Sequence, residues 1–273
     1  MSRRGAGLVA AAGLLACPVC REGLEASPEA LRCPFGHSFD LSRHGYANLL
    51  GGPEPANADT ADMLAARSRV HSSGLFDEVQ AAVAAKVAGC RRILEVGAGN
   101  AYYLGGALGT EPEAVGVALD VSKAAARAAA RSDRRIAAVV ADVWRPLPLR
   151  NHSVDAVLCV FAPRNVPEFA RVLRPGGRLV VVTPQPEHLA GLRDRHGLLA
   201  IGEDKTGRIA GAAAEFFAPV ATAELRHSRE VTPELAADLI AMGPNAFHRL
   251  PEDVAGGRVV VAVSIQVFTP LSS

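Results

Sequence analysis

The sequence predicts an α/β fold, a mainly parallel sheet with helices on both faces, preceded by a small N-terminal domain held by a metal. Three observations predict it. From residue 91 onward, short apolar runs alternate with glycine loops and Ala-rich stretches, the pattern of strand and crossover units joined by right-handed connections. The first of these runs leads directly into two glycines, Gly97 and Gly99. Finally, Cys17, Cys20, Cys33 and His37 crowd the N-terminal segment, leaving only Cys90 and Cys159 elsewhere. An odd cysteine count with such clustering fits a metal site in a reducing compartment better than a disulfide framework.

Composition bounds the reading. With 273 residues the chain has room for one large domain and a smaller one. Its 49% hydrophobic and 21% charged residues, with 29 cationic against 28 acidic side chains, exclude a disordered chain, an acidic tail and a bulk polycation. Any nucleic acid must therefore be met by a local patch. Lysine occurs only at 86, 123 and 205, so nearly all the positive charge is arginine. The apolar run Ala6 to Ala16 has about 11 residues where a membrane span needs roughly 20, so no transmembrane helix is expected. Arg3, Arg4, this run and Cys17 imitate a secretory signal of lipoprotein type. The run is short and Cys17 belongs to the metal pattern, so the expected location is the cytoplasm.

The elements follow in order. Residues 1–50 are rich in Cys, His, Gly and Pro, lack a periodic segment and need a metal in place of a core; they are expected to be a zinc-binding module. Gly51, Gly52, Pro53 and Pro55 read as a linker. Within a helical segment spanning 51–90, Thr60 to Ala88 is predicted helical, capped by Asp59 or Thr60, with Met63, Leu64, Val70, Leu75, Val79, Val83 and Val87 as apolar positions and a break at Ser73-Gly74. Residues 91–273 form the third unit. Strands are predicted at Arg92–Val96, Ala114–Leu119, Ile136–Val140 and Val154–Phe161, then a helix at Pro167–Leu173. The turn Arg174-Pro-Gly-Gly177 leads to a strand at Arg178–Thr183, and the chain closes with a helix at Thr232–Met242 and a strand at Arg258–Phe268.

Cys17-Pro-Val-Cys20 and Cys33-Pro-Phe-Gly-His37 have the spacing C-x2-C-x12-C-x3-H, three thiolates and one imidazole for a tetrahedral ion. Zinc is the natural occupant, and four protein ligands with no open position make the site structural. His44 is a rival fourth ligand, disfavoured because it breaks the close knuckle spacing. In the third unit, Glu95-Val-Gly97-Ala-Gly99-Asn100 places its glycines where the backbone must turn sharply and approach a nucleotide-like cofactor closely. Pyrophosphate binding is disfavoured, because Tyr102 holds the position where G-x-G-x-x-G requires a third small residue. Asp120 ends the second strand, where a carboxylate can accept from both ribose hydroxyls, and Asp142 ends the third.

The E-x-G-x-G pattern resembles the first motif of the class I S-adenosylmethionine methyltransferases. With the zinc knuckle on the same chain, the sequence resembles the 23S rRNA guanine-N1 methyltransferases of the RlmA family. Agreement extends through His37-Ser-Phe-Asp40, Gly45 to Leu50, Asp59 to Met63, Ala66-Arg67, Asp120-Val-Ser-Lys123, Phe161-Ala-Pro-Arg-Asn165, Thr183 to Leu189 and Ala241-Met-Gly-Pro244. Ala141-Asp-Val-Trp144 and Phe161 to Asn165 resemble the actinomycete branch linked to resistance against mycinamicin- and tylosin-type macrolides. The resemblance implies methylation of N1 of a 748-type guanine in the hairpin-35 loop of domain II of 23S rRNA, S-adenosylmethionine and one structural zinc as cofactors, and homodimers. It places Phe76, Gly99, Asn100 and His188 against the cofactor, with Asp142 facing the adenine amino group and Val143 or Trp144 beside the base. Phe76 departs from the family's Gly-His-Tyr segment, so stacking survives there while a hydroxyl hydrogen bond does not.

Guanine N1 becomes a good nucleophile only as its proton leaves, so a proton acceptor or a stabiliser of charge on O6 is needed. The Asn/Asp-Pro-Pro-Tyr motif of amino-group methylation is absent, and Phe161 to Asn165 takes its place. Arg164 and Asn165 are the catalytic candidates, with loop capping as their alternative role. Lys123, Arg127, Arg131 and Arg135 recur along one helix face, with Arg134 beside them, as either a ridge for RNA backbone or a solvated charged face. Residues 1–60 hold 5 arginines against 6 acids, so RNA contacts there would rely on shape and on Phe35, Phe39 and Tyr46.

Overall fold

The computed structural model describes residues 5–198, 211, 213–247, 251 and 253–271. A short helix α1 (Ala6–Ala11) precedes a small antiparallel sheet of β1 (Glu25–Ala26), β2 (Ala30–Arg32) and β3 (Ser38–Asp40). Strand β4 (Ala47–Asn48) then leaves this small sheet and pairs in parallel with the large one. Helices α2 (Ala61–Ser72) and α3 (Asp77–Lys86) follow; Thr60 Oγ1 accepts from the Met63 N–H as the N-cap of α2, and Gly74, at φ +75°, makes the break between the two helices.

The remaining elements build the large sheet: β5 (Arg92–Val96), α4 (Tyr102–Gly109), β6 (Val115–Asp120), α5 (Lys123–Ser132), β7 (Ile136–Val140), β8 (Val154–Val160), α6 (Val166–Val172), β9 (Leu173–Pro184), α7 (Ala190–His196), β10 (Phe217–Val231), α8 (Pro233–Ala241) and β11 (Gly257–Pro270). Strand order is β10-β11-β9-β8-β5-β6-β7-β4. All neighbours from β9 to β4 are parallel, while β11 runs antiparallel to both β9 and β10. The order reverses between β5 and β8, so the carboxyl ends of these two strands open the crevice where an α/β sheet takes its ligand.

Apolar layers cover both faces. One face carries Phe76, the N-cap of α3, with Val79 and Val83 of that helix, Leu104 and Leu108 of α4, and Leu239 and Ile240 of α8. On the other, Phe169 and Val172 of α6 share a layer with Leu8, Leu15, Cys17, Leu24 and Leu31 of the N-terminal segment. That segment has more apolar support than its composition suggests, because it borrows the core of the large sheet. The run resembling a secretory signal is part of this support: Leu8, Ala11 and Leu15 are fully buried. Gly7 lies so close to β7 that an added Cβ would fall 2.0 Å from the Ile136 carbonyl oxygen. Strand β10 is an addition to the expected elements, and β9 begins at Leu173, ahead of the expected Arg178.

Candidate active site and metal centre

The metal centre is built by two tight turns. Arg21, at φ +70°, follows Cys17-Pro-Val-Cys20, and Gly36, at φ +84°, lies inside Cys33-Pro-Phe-Gly-His37. They bring Cys17 Sγ to 3.6 Å and Cys33 Sγ to 3.2 Å from His37 Nδ1, and Cys20 Sγ to 3.6 Å from Cys33 Sγ. The four ligand atoms all lie within 4.8 Å of one another. Tetrahedral zinc, with Zn–S near 2.3 Å and Zn–N near 2.0 Å, requires sulfur pairs about 3.7 Å apart, so the donor set fits the ion. Burial raises the Cys33 thiol, but hydrogen bonds from His37 and its neighbours outweigh it and bring the group down to about 7, toward the thiolate a metal needs. His44 lies outside this cluster, its Nε2 accepting from Arg43 Nε at 3.3 Å.

The second site lies where β5, β6 and β8 end. Gly97, Gly99 and Ala101 all have positive φ (61°, 54° and 59°), curling the loop into a cradle. A Cβ on Gly97 would stand 2.7 Å from Ala162 Cβ, so glycine is what lets the β5 and β8 loops touch. Asp120 locks the cradle: Oδ2 accepts the Gly99 N–H and Oδ1 the Ser122 N–H, each at 2.9 Å. Each oxygen keeps a further lone pair for a ribose hydroxyl. Asn100 donates to Ser68 Oγ and meets His71 Nδ1, each at 3.2 Å. Tyr102, the bulky third position of the loop, stacks on His71 with ring centroids 3.9 Å apart and donates to Asp77 Oδ1 at 2.6 Å. It faces α2 and α3, so the strand packing a third glycine would serve is not required. In the next loop Asp142 Oδ1 accepts the Trp144 N–H at 2.9 Å.

Phe76 and His188 converge, with ring centroids 6.0 Å apart. His188 Nδ1 accepts the Ala262 N–H, and burial holds the imidazole down at about 4, so it is neutral at physiological pH. Arg164 lies against the Cys159 thiol, which burial pushes up to about 12, and its Nε is buried without a partner. Asn165 donates to the Val143 carbonyl at 2.8 Å, tying the β8 loop to the β7 loop.

Glu95 is buried below the cradle and accepts the Leu104 N–H at 3.1 Å, in the first turn of α4. Burial, partly offset by that N–H, raises the carboxyl to about 8. Folded protein thus carries Glu95 protonated near neutrality while unfolded chain ionises near its ordinary value. The stability this proton contributes is complete below the unfolded pKa and lost as pH rises toward 8. Glu95→Gln is expected to flatten that part of the pH–melting curve, measured by thermal unfolding from pH 5 to pH 9 buffers; an unaltered curve refutes the assignment.

Arg67, marked in the sequence only as part of the Ala66-Arg67 segment, gains a role from the fold. Its guanidinium pairs with Asp59 at 2.6 Å, donates to the Met242 carbonyl at 2.6 Å and stands 2.6 Å from where a Gly99 Cβ would be. It roofs the glycine cradle and joins two of the quoted family segments. A polar residue on a helix of mixed faces gives no local sign of this task. Arg135, counted in the basic ridge, instead pairs with Asp133 at 2.7 Å and donates to the Leu108 carbonyl, leaving Lys123, Arg127, Arg131 and Arg134 exposed.

Comparison with known proteins decides the family. A profile described as the RlmA N-terminal zinc ribbon matches residues 15–54, and a methyltransferase domain profile matches residues 94–181. A protein of Micromonospora griseorubida assigned as a 23S rRNA (guanine-N(1)-)-methyltransferase is 44% identical over 259 residues, covering 87% of this chain and 88% of the relative. The chain belongs to the RlmA family. A second RlmA relative, the 23S rRNA (guanine(748)-N(1))-methyltransferase of Streptomyces fradiae, is 42% identical over 88% of both chains. Among solved structures, the YcgJ protein of Bacillus subtilis aligns with a TM-score of 0.50 at 16% identity, covering 72% of this chain and 100% of that one, which shows a shared fold. This RlmA chain is therefore a class I S-adenosylmethionine-dependent methyltransferase with a zinc ribbon at its N-terminal end.

The chain has one tryptophan, Trp144, which is 65% exposed beside Asp142. Were adenine seated against Asp142, as the family resemblance implies, it would change these surroundings. Titration with S-adenosylhomocysteine is expected to shift or quench Trp144 emission in saturable fashion, and silent emission would move the adenine elsewhere.

Proposed function

We propose that this protein transfers a methyl group from S-adenosylmethionine to N1 of a 748-type guanine in the hairpin-35 loop of 23S rRNA, and so protects the ribosome against mycinamicin- and tylosin-type macrolides. The reading is supported above all by where the zinc ribbon docks. Arg21 donates to the Leu147 carbonyl at 3.1 Å and the Ala16 N–H to the Pro148 carbonyl at 3.0 Å, in the loop that follows Asp142 and Trp144. The ribbon is thus tied to the loop that begins at Asp142 and Trp144, from which it would present a structured RNA loop to the methyl group. No described helix is long and apolar enough to cross a membrane, and we place the enzyme in the cytoplasm with the ribosome.

The bound cofactor supplies an electrophilic methyl on a sulfonium. Asp120, the glycine cradle and Asp142 hold and orient that cofactor, and Arg67 roofs it. Among the catalytic candidates, Arg164 faces inward and Asn165 serves as a loop tie. Neutral His188, with Nδ1 engaged as an acceptor, keeps its proton on Nε2 and is fitted to donate a hydrogen bond rather than act as a cation. Positioning of the nucleophile in line with the methyl then carries much of the rate. The ribbon serves RNA recognition, and the exposed cations of α5 serve the backbone.

The test uses cofactor labelled in its methyl group with protein-free 23S rRNA, with the ribosomal subunit, and with macrolide, followed by mapping of the labelled atom. Label at guanine N1 of the hairpin-35 loop is the expected result. Label on the drug, or none in RNA, overturns the reading.

A further inference from the structure

At the end of β8 the chain places an aromatic residue where sterics disfavour it. Phe161 has φ +54°, a left-handed conformation that a bulky side chain rarely adopts, yet its N–H still bonds to the Val182 carbonyl at 3.1 Å. The ladder therefore holds Phe161 at the strand end while the chain turns. The residue is 41% exposed. Behind it stand three buried rings, with centroids at 5.6 Å for His188, 6.3 Å for Phe76 and 6.4 Å for Tyr103. The next residue, Ala162, is the one that touches Gly97 of the cofactor cradle.

A glycine or asparagine would make this turn without strain, and a polar side chain would meet water at lower cost. The chain instead pins an apolar ring, braced from behind and open in front, where the β8 loop crosses the cofactor loop. Strain kept at such a position marks function. A partly exposed aromatic side chain at the mouth of a nucleic-acid methyltransferase matches one ligand surface above others, the face of an unstacked base.

We propose that Phe161 is the platform on which the target guanine stacks, fixing the plane of the base so that N1 meets the methyl edge-on. The proposal rests on the rRNA reading above. The buried rings of Phe76, Tyr103 and His188 stop the platform from tilting, so the base plane is set by the protein and not by the RNA.

The experiment compares wild type with Phe161→Ala, Phe161→Trp and Phe161→Gly, using a hairpin-35 RNA and the same RNA carrying 2-aminopurine at the target position. Base stacking on an aromatic side chain corresponds to roughly 5- to 150-fold in affinity. Phe161→Ala is therefore expected to lose 10- to 100-fold in kcat/KM for RNA, with S-adenosylhomocysteine affinity kept within about twofold. Phe161→Trp is expected to recover most of the loss. The 2-aminopurine emission should be brighter in the Phe161→Ala complex than in the wild-type complex, because the quenching partner is gone. Phe161→Gly, relieved of strain, should melt no lower than Phe161→Ala while turning over as slowly, which separates stacking from folding. Turnover of Phe161→Ala within twofold of wild type, equal emission from the two complexes, or a parallel loss of cofactor affinity overturns the platform. Should the wild type label no guanine in RNA at all, the rRNA reading falls and the platform with it.

Discussion

A Cys33→Ser variant is expected to lose its zinc and to melt well below wild type. Serine is a hard, weakly acidic ligand, so the four-ligand set becomes three in a site with no spare donor. Structural zinc supplies about 10 kcal/mol or more of apparent binding free energy at neutral pH, comparable with the whole net stability of a domain. Only part of this reaches global unfolding, because Leu8, Leu15 and Leu24 of the same segment are anchored in the apolar layer of the large sheet. Even a loss of about 3 kcal/mol lowers Tm by roughly 6 to 12 °C for a domain of this size. Cys17 and Cys33 are themselves buried in that layer, so disordering the turns opens the layer from its edge. Metal analysis is expected to give about one zinc per wild-type chain and near none for the variant. A strong chelator should reproduce the variant's melting curve in the wild type, and His44→Ala should keep its metal. Full zinc occupancy in Cys33→Ser would show that the site lies elsewhere.

The N-terminal segment also shows where reading a sequence stops. Its ligand spacing was legible, because a knuckle is a local pattern. Its seat on the large sheet was not. Helix α1 is apolar for a tertiary reason, burial against β6 and β7, and an apolar run without its partner looks like a leader. Strand β4 is two residues long, too short to show a period, yet Ala47 and Asn48 continue the sheet by pairing with Val139 and Val140. At the opposite edge, β10 alternates Glu224, Arg226 and Ser228 with Ala223, Leu225 and His227, and most of it faces water. An edge strand with few apolar residues carries little of the hydrophobic signal by which strands are found. By contrast, β5 and β7 emerge at the expected bounds, since continuous apolar runs between breakers leave little choice. The candidate site divides in the same way. The glycines and strand-end acids announce themselves by type and position, whereas the roof of Arg67, the inward turn of Arg164 and the strained Phe161 exist only once α2, β8 and β9 are packed together.

Asp120→Ala is expected to abolish useful cofactor binding while leaving a folded protein. Two ribose hydroxyls bonded to an ionised carboxylate are worth about 1.5 to 3 kcal/mol each, so their loss weakens S-adenosylhomocysteine by roughly 10²- to 10⁴-fold. The structure adds a second cost, since removing the carboxylate strands the Gly99 and Ser122 N–H groups and frees the cradle those bonds define. The same bonds predict that Asp120→Asn is no rescue. Both carboxylate oxygens accept a backbone N–H, so an amide must turn its NH₂ toward one of them, donor against donor. Burial raises the Asp120 carboxyl above its ordinary value, an effect partly offset by those two N–H groups and by Arg67. On acidification it therefore takes up its proton earlier than an exposed aspartate would, and cofactor affinity should fall at a correspondingly higher pH. Calorimetric titration across pH tests both points, with melting curves confirming that the variants are folded. Asp120→Ala binding S-adenosylhomocysteine within about tenfold of wild type would refute the ribose assignment and leave Asp120 as a brace for the loop alone, because a charge-assisted pair cannot be lost so cheaply.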